Sequence, residues 1–362
     1  MKLPQKLVMR WSRSAIPVYD LGYERISLPI LLPDGVVFLD GANLIKVNRE
    51  GKLLWQCSHD YGFWGSPVLS KSGFIVCASN NNQINFLNNA GQIAHAVDLS
   101  TSVCTNILVD DSGSLWFGIG TAYCAITRID SVGRTLYETE VARDSGLQNP
   151  LIMTQEQHLW IATKNGAIKL EAQSGKVLCR HNDKDGVSCI SEILPLKDGL
   201  IFASASSDGS SEIIKINSQC QIIKRYSLPP IRRAKLLASS YGGAWLVGST
   251  VSSWKPLNKR DRIFVIRLAP DGKPKRMNST FAGRSIEATL DDNETIWIGT
   301  YTYKEEDDSE DGCLIRNFEA SETQIEWLPE PSCGVGIPVF AADGSGVIAT
   351  SRAIYGFASL NQ

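Results

Sequence analysis

One sequence pattern recurs eight times along the 362 residues, and it limits the fold more than any single motif does. A Ser/Pro-containing apolar segment leads to a tight turn, a short apolar strand, an Asn-rich turn, a second apolar strand, and a further turn that carries glycine. The stretch from Ser27 through Gly35 to Leu39 aligns with that from Gly65 through Gly73 to Cys77, and the two continue in parallel to Gly51 and Gly91. The first tight turn falls at Asp34-Gly35, Ser72-Gly73, Ser112-Gly113, Glu156-Gln157, Asp198-Gly199, Gly242-Gly243, Asn293-Glu294 and Asp343-Gly344. A fixed period of this kind is the mark of a repeat architecture.

The spacing between units, about 38 to 50 residues, suits a four-stranded antiparallel sheet per unit and is near that of propeller repeats. Helical solenoids share the period but not the composition. Each unit is built from short β-rich runs such as Val36–Leu39, Leu115–Phe117, Leu159–Ile161 and Ile296–Ile298, bounded by Gly, Asn, Asp and Ser. The expected fold is therefore all-β: one eight-bladed β-propeller over residues 1–362, with four-stranded antiparallel blades starting near residues 26, 64, 103, 147, 188, 233, 284 and 334. The chain stops at Gln362 before the last unit has an outermost strand, while the segment 5–13, around Trp11, resembles the one around Trp55. The ring is thus expected to close by the N-terminal strand joining the C-terminal blade. Closure of that kind removes two sheet edges open to aggregation.

Composition narrows the class of partner. Net charge is −2 and no field would draw a phosphate backbone, so nucleic acid is not an expected partner. No apolar run reaches the roughly 20 residues of a membrane helix, and Met1–Arg10 lacks the apolar core of a secretory signal. The expectation is no membrane association and a cytoplasmic location. Nine cysteines are dispersed without a CxxC pair or metal-ligand spacing, and in a reducing compartment they read as small apolar core residues.

The run Val47-Asn48-Arg49-Glu50-Gly51-Lys52-Leu53-Leu54-Trp55, following Ser/Pro-Val segments such as Ser66-Pro67-Val68, resembles the repeat of the PQQ-like, or quinoprotein alcohol dehydrogenase-like, β-propellers. The resemblance covers essentially the whole chain. The Gly-Lys-x-x-Trp ending decays elsewhere to Gly91-Gln92, Gly133-Arg134, Gly175-Lys176 and Gly272-Lys273. Segments 159–163 and 296–300 also look like the sensor propellers of two-component receptors. The quinone-dependent members of the superfamily, as the resemblance implies, hold their cofactor with vicinal cysteines, a tryptophan platform and calcium ligands. No two cysteines are adjacent here, so no quinone and no other cofactor is expected.

In a propeller the first strand of each blade lines the central channel. Seven residues before each turn this ring reads Leu28, Ser66, Asn106, Pro150, Glu192, Lys235 or Leu236, Glu287 and Ile337. Its polar members, Glu192, Glu287, Asn106 and Lys235, form either a solvated channel wall or a converging pocket. Paired carboxylates in a confined site can have their pKa values driven apart to give an acid and a base, so Glu192 and Glu287, with His59, are candidate catalytic groups. Loops on one rim supply His59, Asp60, Tyr61 and Trp64, and Arg143, His181, Arg232, Arg233 and Arg284. That set suits a peptide or a small anionic, partly apolar molecule, as well as an ordinary solvated rim.

His181 to Glu192 matches a calcium-loop pattern except at its first position, and 307–312 matches it in part; both read mainly as turns, and no metal site is expected. Two insertions, one basic at 252–262 and one acidic from 303, form a paired lid or docking element, or a solvated surface. The primary expectation is a binding module presenting one face to a protein, peptide or small ligand. The alternative is an enzyme of lyase, isomerase, cyclase or hydrolase type, with acid and base from different blades in the central funnel.

Overall fold

The computed structural model describes residues 8–14, 27–40, 42–120, 123–143, 147–163, 166–182, 188–196, 199–250, 261–282, 284–290, 294–303, 310–317, 323–327, 335–341, 345–350 and 353–358. Among them there is no helix, and the strands assemble into eight antiparallel sheets, one for each sequence unit. In the first sheet, Ile30–Leu32, Gly35–Asp40, Asn43–Val47 and Leu53–Ser58 pair in chain order. The second and third strands are buried nearly end to end, which is why they read as unbroken apolar runs. The fourth alternates between exposed and half-buried residues because only one of its faces is covered.

The last sheet takes Val335–Phe340, Gly346–Thr350 and Ala353–Ala358 from one end of the chain and Val8–Ser14 from the other. That N-terminal strand pairs antiparallel from Val8 opposite Ala358 to Ser14 opposite Ala353, with a bulge between Met9 and Trp11. Among the described residues eight apolar clusters hold the sheets together, seven of them between sheets consecutive in the chain. One joins the last sheet to the first, through Val347, Ala349 and Ile354 against Val36, Phe38, Ile45 and Val47.

A cross-strand pair that the sequence reading did not single out recurs between these clusters. Trp116 lies opposite Arg128, Trp160 opposite Lys169, and Trp245 opposite Arg267. In each case the cation sits 4.9 to 5.5 Å from the centre of the indole ring. The cation then reaches into the following sheet: Arg128 donates to the carbonyl of Ala172 at 3.2 Å, and Lys169 to that of Ser218 at 3.5 Å. Lys46, only 1% exposed, makes the same crossing at the equivalent position, donating to Asn89 Oδ1 at 2.5 Å and to Asp34 Oδ2 at 2.7 Å. Its ammonium holds the Asp34 carboxyl below the usual range, against the opposing effect of burial.

Five of the aligned turns share one left-handed backbone position. Gly73, Gly113 and Gly242 adopt positive φ, and so do Gln157 (57°) and Glu294 (60°), the residues that stand in glycine's place in two units. Glu294 meets the cost of that backbone with its side chain, which accepts from Ser240 N at 2.5 Å and from Trp245 Nε1 at 3.2 Å.

Two expectations need correction. The fifth sheet has five strands, because its first strand is broken into Ser188–Cys189 and Leu194–Leu196, both paired with Gly199–Ala205. The cause is local: Ser191 Oγ accepts from Ala203 N at 2.7 Å, so a hydroxyl takes the place of a ladder carbonyl. The cysteines are also not all dispersed thiols, since Cys179 and Cys220 are joined as a disulfide. Cys77 and Cys189 do behave as core residues, burial pushing each thiol up to about 12.

Candidate functional site

The residues that the alignment placed at one level lie on the first strands or in the segments beside them, and in most sheets regular pairing is broken just there. Register shifts fall between Trp64 and Val68, Gln148 and Leu151, Ser285 and Glu287, and Val335 and Pro338. In the third sheet Thr105 Oγ1 accepts from Gly118 N at 2.7 Å, repeating the Ser191 arrangement one residue before Asn106. A bulge frees a residue from the ladder and re-aims its side chain. The sixth sheet alone among the first strands of sheets two to eight is regular, from Arg233 to Ala238. Strict alternation there settles the open choice between Lys235 and Leu236: Leu236 is core, 4% exposed, and Lys235 faces the other way.

Lys235 meets both carboxylates. Its Nζ lies 3.1 Å from Glu192 Oε1 of the fifth sheet and pairs directly with Glu287 Oε1 of the seventh. The three side chains are each about a quarter exposed (24 to 25%), so this is a partly solvated ion triad spanning three sheets. Burial pulls the lysine's pKa down, but Glu287 and then Glu192 outweigh it, and the net result is a rise to about 12. A second link, Leu28 N donating to Ser66 Oγ at 2.9 Å, joins the segment before the first strand of sheet one to the first strand of sheet two. Asn106 stands half-buried at this level of the third sheet.

The rim residues divide by surroundings. His59, Asp60 and Tyr61 form a tight turn between the outer strand of sheet one, Leu53–Ser58, and the first strand of sheet two, Phe63–Leu69, which carries Trp64. Tyr61 N donates to His59 Nδ1 at 3.2 Å, Gly62 N to the His59 carbonyl at 2.8 Å, and Asn80 Nδ2 to the Tyr61 carbonyl at 3.0 Å. The His59 ring packs against Phe63, which is core, and Trp64 is half-buried against the cluster between sheets two and three. Asp60 is exposed, and the Tyr61 side chain projects with 63% of its surface open.

Elsewhere the candidates are built into the scaffold. Arg232, though exposed, donates to the Ser206 carbonyl at 3.0 Å and so pins the turn between two strands of sheet five. Arg233 opens the first strand of sheet six, opposite Ser249. His181 lies buried, 8% exposed, against the Phe202 ring. Arg143 ends the strand Thr135–Arg143, and Arg284 begins Arg284–Leu290. Their side chains lie outside the described part, as do residues 183–187 of the calcium-like loop, 251–260 of the basic insertion and 304–309 of the acidic one. Among the described residues no group of three or more His, Cys, Asp or Glu is placed to hold a metal ion.

No family model matches the sequence, and no curated protein matches it. Solved structures do match the fold. BamB from Moraxella catarrhalis superposes with a TM-score of 0.66 at 11% identity over 99% of each chain. The Dos1 propeller gives 0.66 at 10% identity, covering 98% of this chain and 95% of that one. The WD40 β-propeller domain of Doa1 gives 0.54 at 11% identity, over 98% and 97%. At such identities the likeness speaks for the fold alone, and it is that of a β-propeller.

Proposed function

We infer that the chain is a ring-closed, eight-bladed propeller of the PQQ-like repeat type that serves as a scaffold binding a protein or peptide on the rim carrying Tyr61. The cluster shared by the last and first sheets and the pairing of Val8–Ser14 with Ala353–Ala358 support ring closure. Gly91, Gly133 and Gly175, in the turn before the outer strand, lie against residues of the preceding outer strand, as the repeat implies.

The observation that carries the binding assignment is Tyr61 itself: an aromatic side chain left open on a turn whose backbone is held at each residue from His59 to Phe63 but Asp60. Tyrosines presented this way supply interface energy at small entropic cost, because the turn is ordered before the partner arrives. The central triad supports the same reading, since Glu192 and Glu287 are both engaged by one protonated lysine and act as a tie between sheets. An acid and base pair needs a carboxylate released from that lysine.

A photo-crosslinking residue placed at Tyr61 is expected to capture a protein partner in cells, while the same residue at Tyr241, 74% exposed on a turn between the first and second strands of sheet six, captures none of it. Equal labelling from both positions, or none from Tyr61, overturns the assignment.

A further inference from the structure

The disulfide occupies a position that three other joints fill with a side chain resting on a glycine. Between sheets one and two, a side-chain carbon added to Gly91 would lie 2.5 Å from the Trp55 ring, so the indole rests on a bare glycine. Gly133 stands in the same relation to His95 and Val97, and Gly175 to Tyr137, where the added carbon would lie 2.5 Å from the ring. Each of these glycines has positive φ, between 71° and 89°. In every case the ring sits four residues beyond the glycine of its own sheet's turn.

At the joint of sheets four and five both partners change together. Cys179 stands four residues after Gly175, where the outer strands of sheets one to three place Trp55, His95 and Tyr137. Cys220 stands where the neighbouring turns place glycine, and keeps the left-handed backbone, φ 62°, despite its side chain. The Cα atoms are 5.9 Å apart, within the range that a disulfide spans. Cys220 bears a backbone cost that glycine avoids. Cys179 gives up the ring that would fill the joint. Either change alone weakens the contact; together they replace it with a bond.

We propose that Cys179 and Cys220 form a redox-governed tie between the fourth and fifth sheets, closed by exchange with a low-molecular-weight disulfide such as glutathione disulfide. Cys179 is half-buried and Cys220 only 5% exposed, so Cys179 attacks first. Its thiolate displaces one small thiolate and forms a mixed disulfide. The Cys220 thiolate then displaces the second, so two protein thiols lose their protons and two electrons while the small disulfide becomes two thiols. Reduction reverses the step and leaves a joint with neither ring nor bond. The buried thiols of Cys77 and Cys189 take no part.

Trypsin isolates the two cysteines in the peptides 177–180 and 216–224. Purified protein equilibrated with glutathione disulfide, quenched with acid and alkylated in denaturant is expected to yield these two as one cross-linked species that separates on reduction, with the Cys77 and Cys189 peptides alkylated. Reduction is expected to lower Tm by about 5 °C. It is also expected to speed amide exchange in Val177–Asn182 and at 217–221 while leaving Leu53–Ser58 and 88–92 unchanged. The double variant Cys179→Tyr with Cys220→Gly, which restores the ring-on-glycine joint, is expected to fold with a Tm indifferent to reductant. Alkylation of both cysteines after the oxidant, or a wild-type Tm and exchange pattern that reductant leaves unmoved, overturns the proposal.

Discussion

Lys235→Met is expected to lower the unfolding free energy by about 2 to 3 kcal/mol in urea denaturation near neutral pH, because it leaves Glu192 and Glu287 facing a common space without their cation. The effect is smaller than for a fully buried pair, since a quarter of each side chain meets water. The triple variant Lys235→Met, Glu192→Gln, Glu287→Gln is expected to recover all but about 1 kcal/mol, which separates loss of charge balance from loss of lysine packing. A triple variant as unstable as the single one contradicts the triad.

The pH dependence has a definite sign. The lysine's pKa is raised to about 12 in the folded chain, so its contribution is fully present below its unfolded value near 10.5 and is lost as pH climbs through 12. That difference corresponds to about 2 kcal/mol. The wild type is therefore expected to lose stability between about pH 10.5 and 12 by more than Lys235→Met does. Parallel alkaline limbs in the two proteins would show that the carboxylates do not hold the proton.

Trp116→Ala is expected to cost about 4 kcal/mol. The side chain is wholly buried between sheets three and four. Its Nε1 also donates to Asp110 Oδ2 at 2.9 Å, and its ring lies under the Arg128 guanidinium. Asp110 is itself buried and its carboxyl is held low: desolvation raises it, but bonds from Ser112, Trp116 and the backbone outweigh that. Trp116→Phe keeps most of the packing and loses the indole donor, and about 2 kcal/mol is expected for it. Equal losses in the two variants would mean that packing alone matters at this position.

How much of this was legible without coordinates differs from residue to residue. The sheet count and the pairing of Val8–Ser14 with the last sheet follow from the repeat, because turn chemistry and apolar runs are local signals. Gln157 and Glu294 align with glycines through the apolar runs that flank their turns, and their positive φ shows that position outweighs residue type there. The ring of Glu192, Lys235 and Glu287 was readable as a level in the fold. Its outcome, one lysine between two carboxylates, was not, because bulges in the neighbouring strands set the direction in which each side chain points.

His181 reads as a rim residue because its neighbours in the chain are polar, yet its ring packs against Phe202 of sheet five. The tryptophan and cation pairs escaped notice because their partners are 9 to 22 residues apart, varying with the length of the intervening turn. Cys179 and Cys220 are 41 residues apart, one repeat, and the signal was there: Cys220 breaks a run of glycines at its position.

The strand that begins the described chain must share its fate with the strand that ends it, and amide hydrogen exchange resolved to Val8–Ser14 and Ala353–Ala358 tests this directly. Slow exchange in both segments, lost together on the approach to unfolding, is the result expected. Exchange in Val8–Ser14 at the rate of an unstructured peptide, with Ala353–Ala358 still protected, would contradict the account at its foundation.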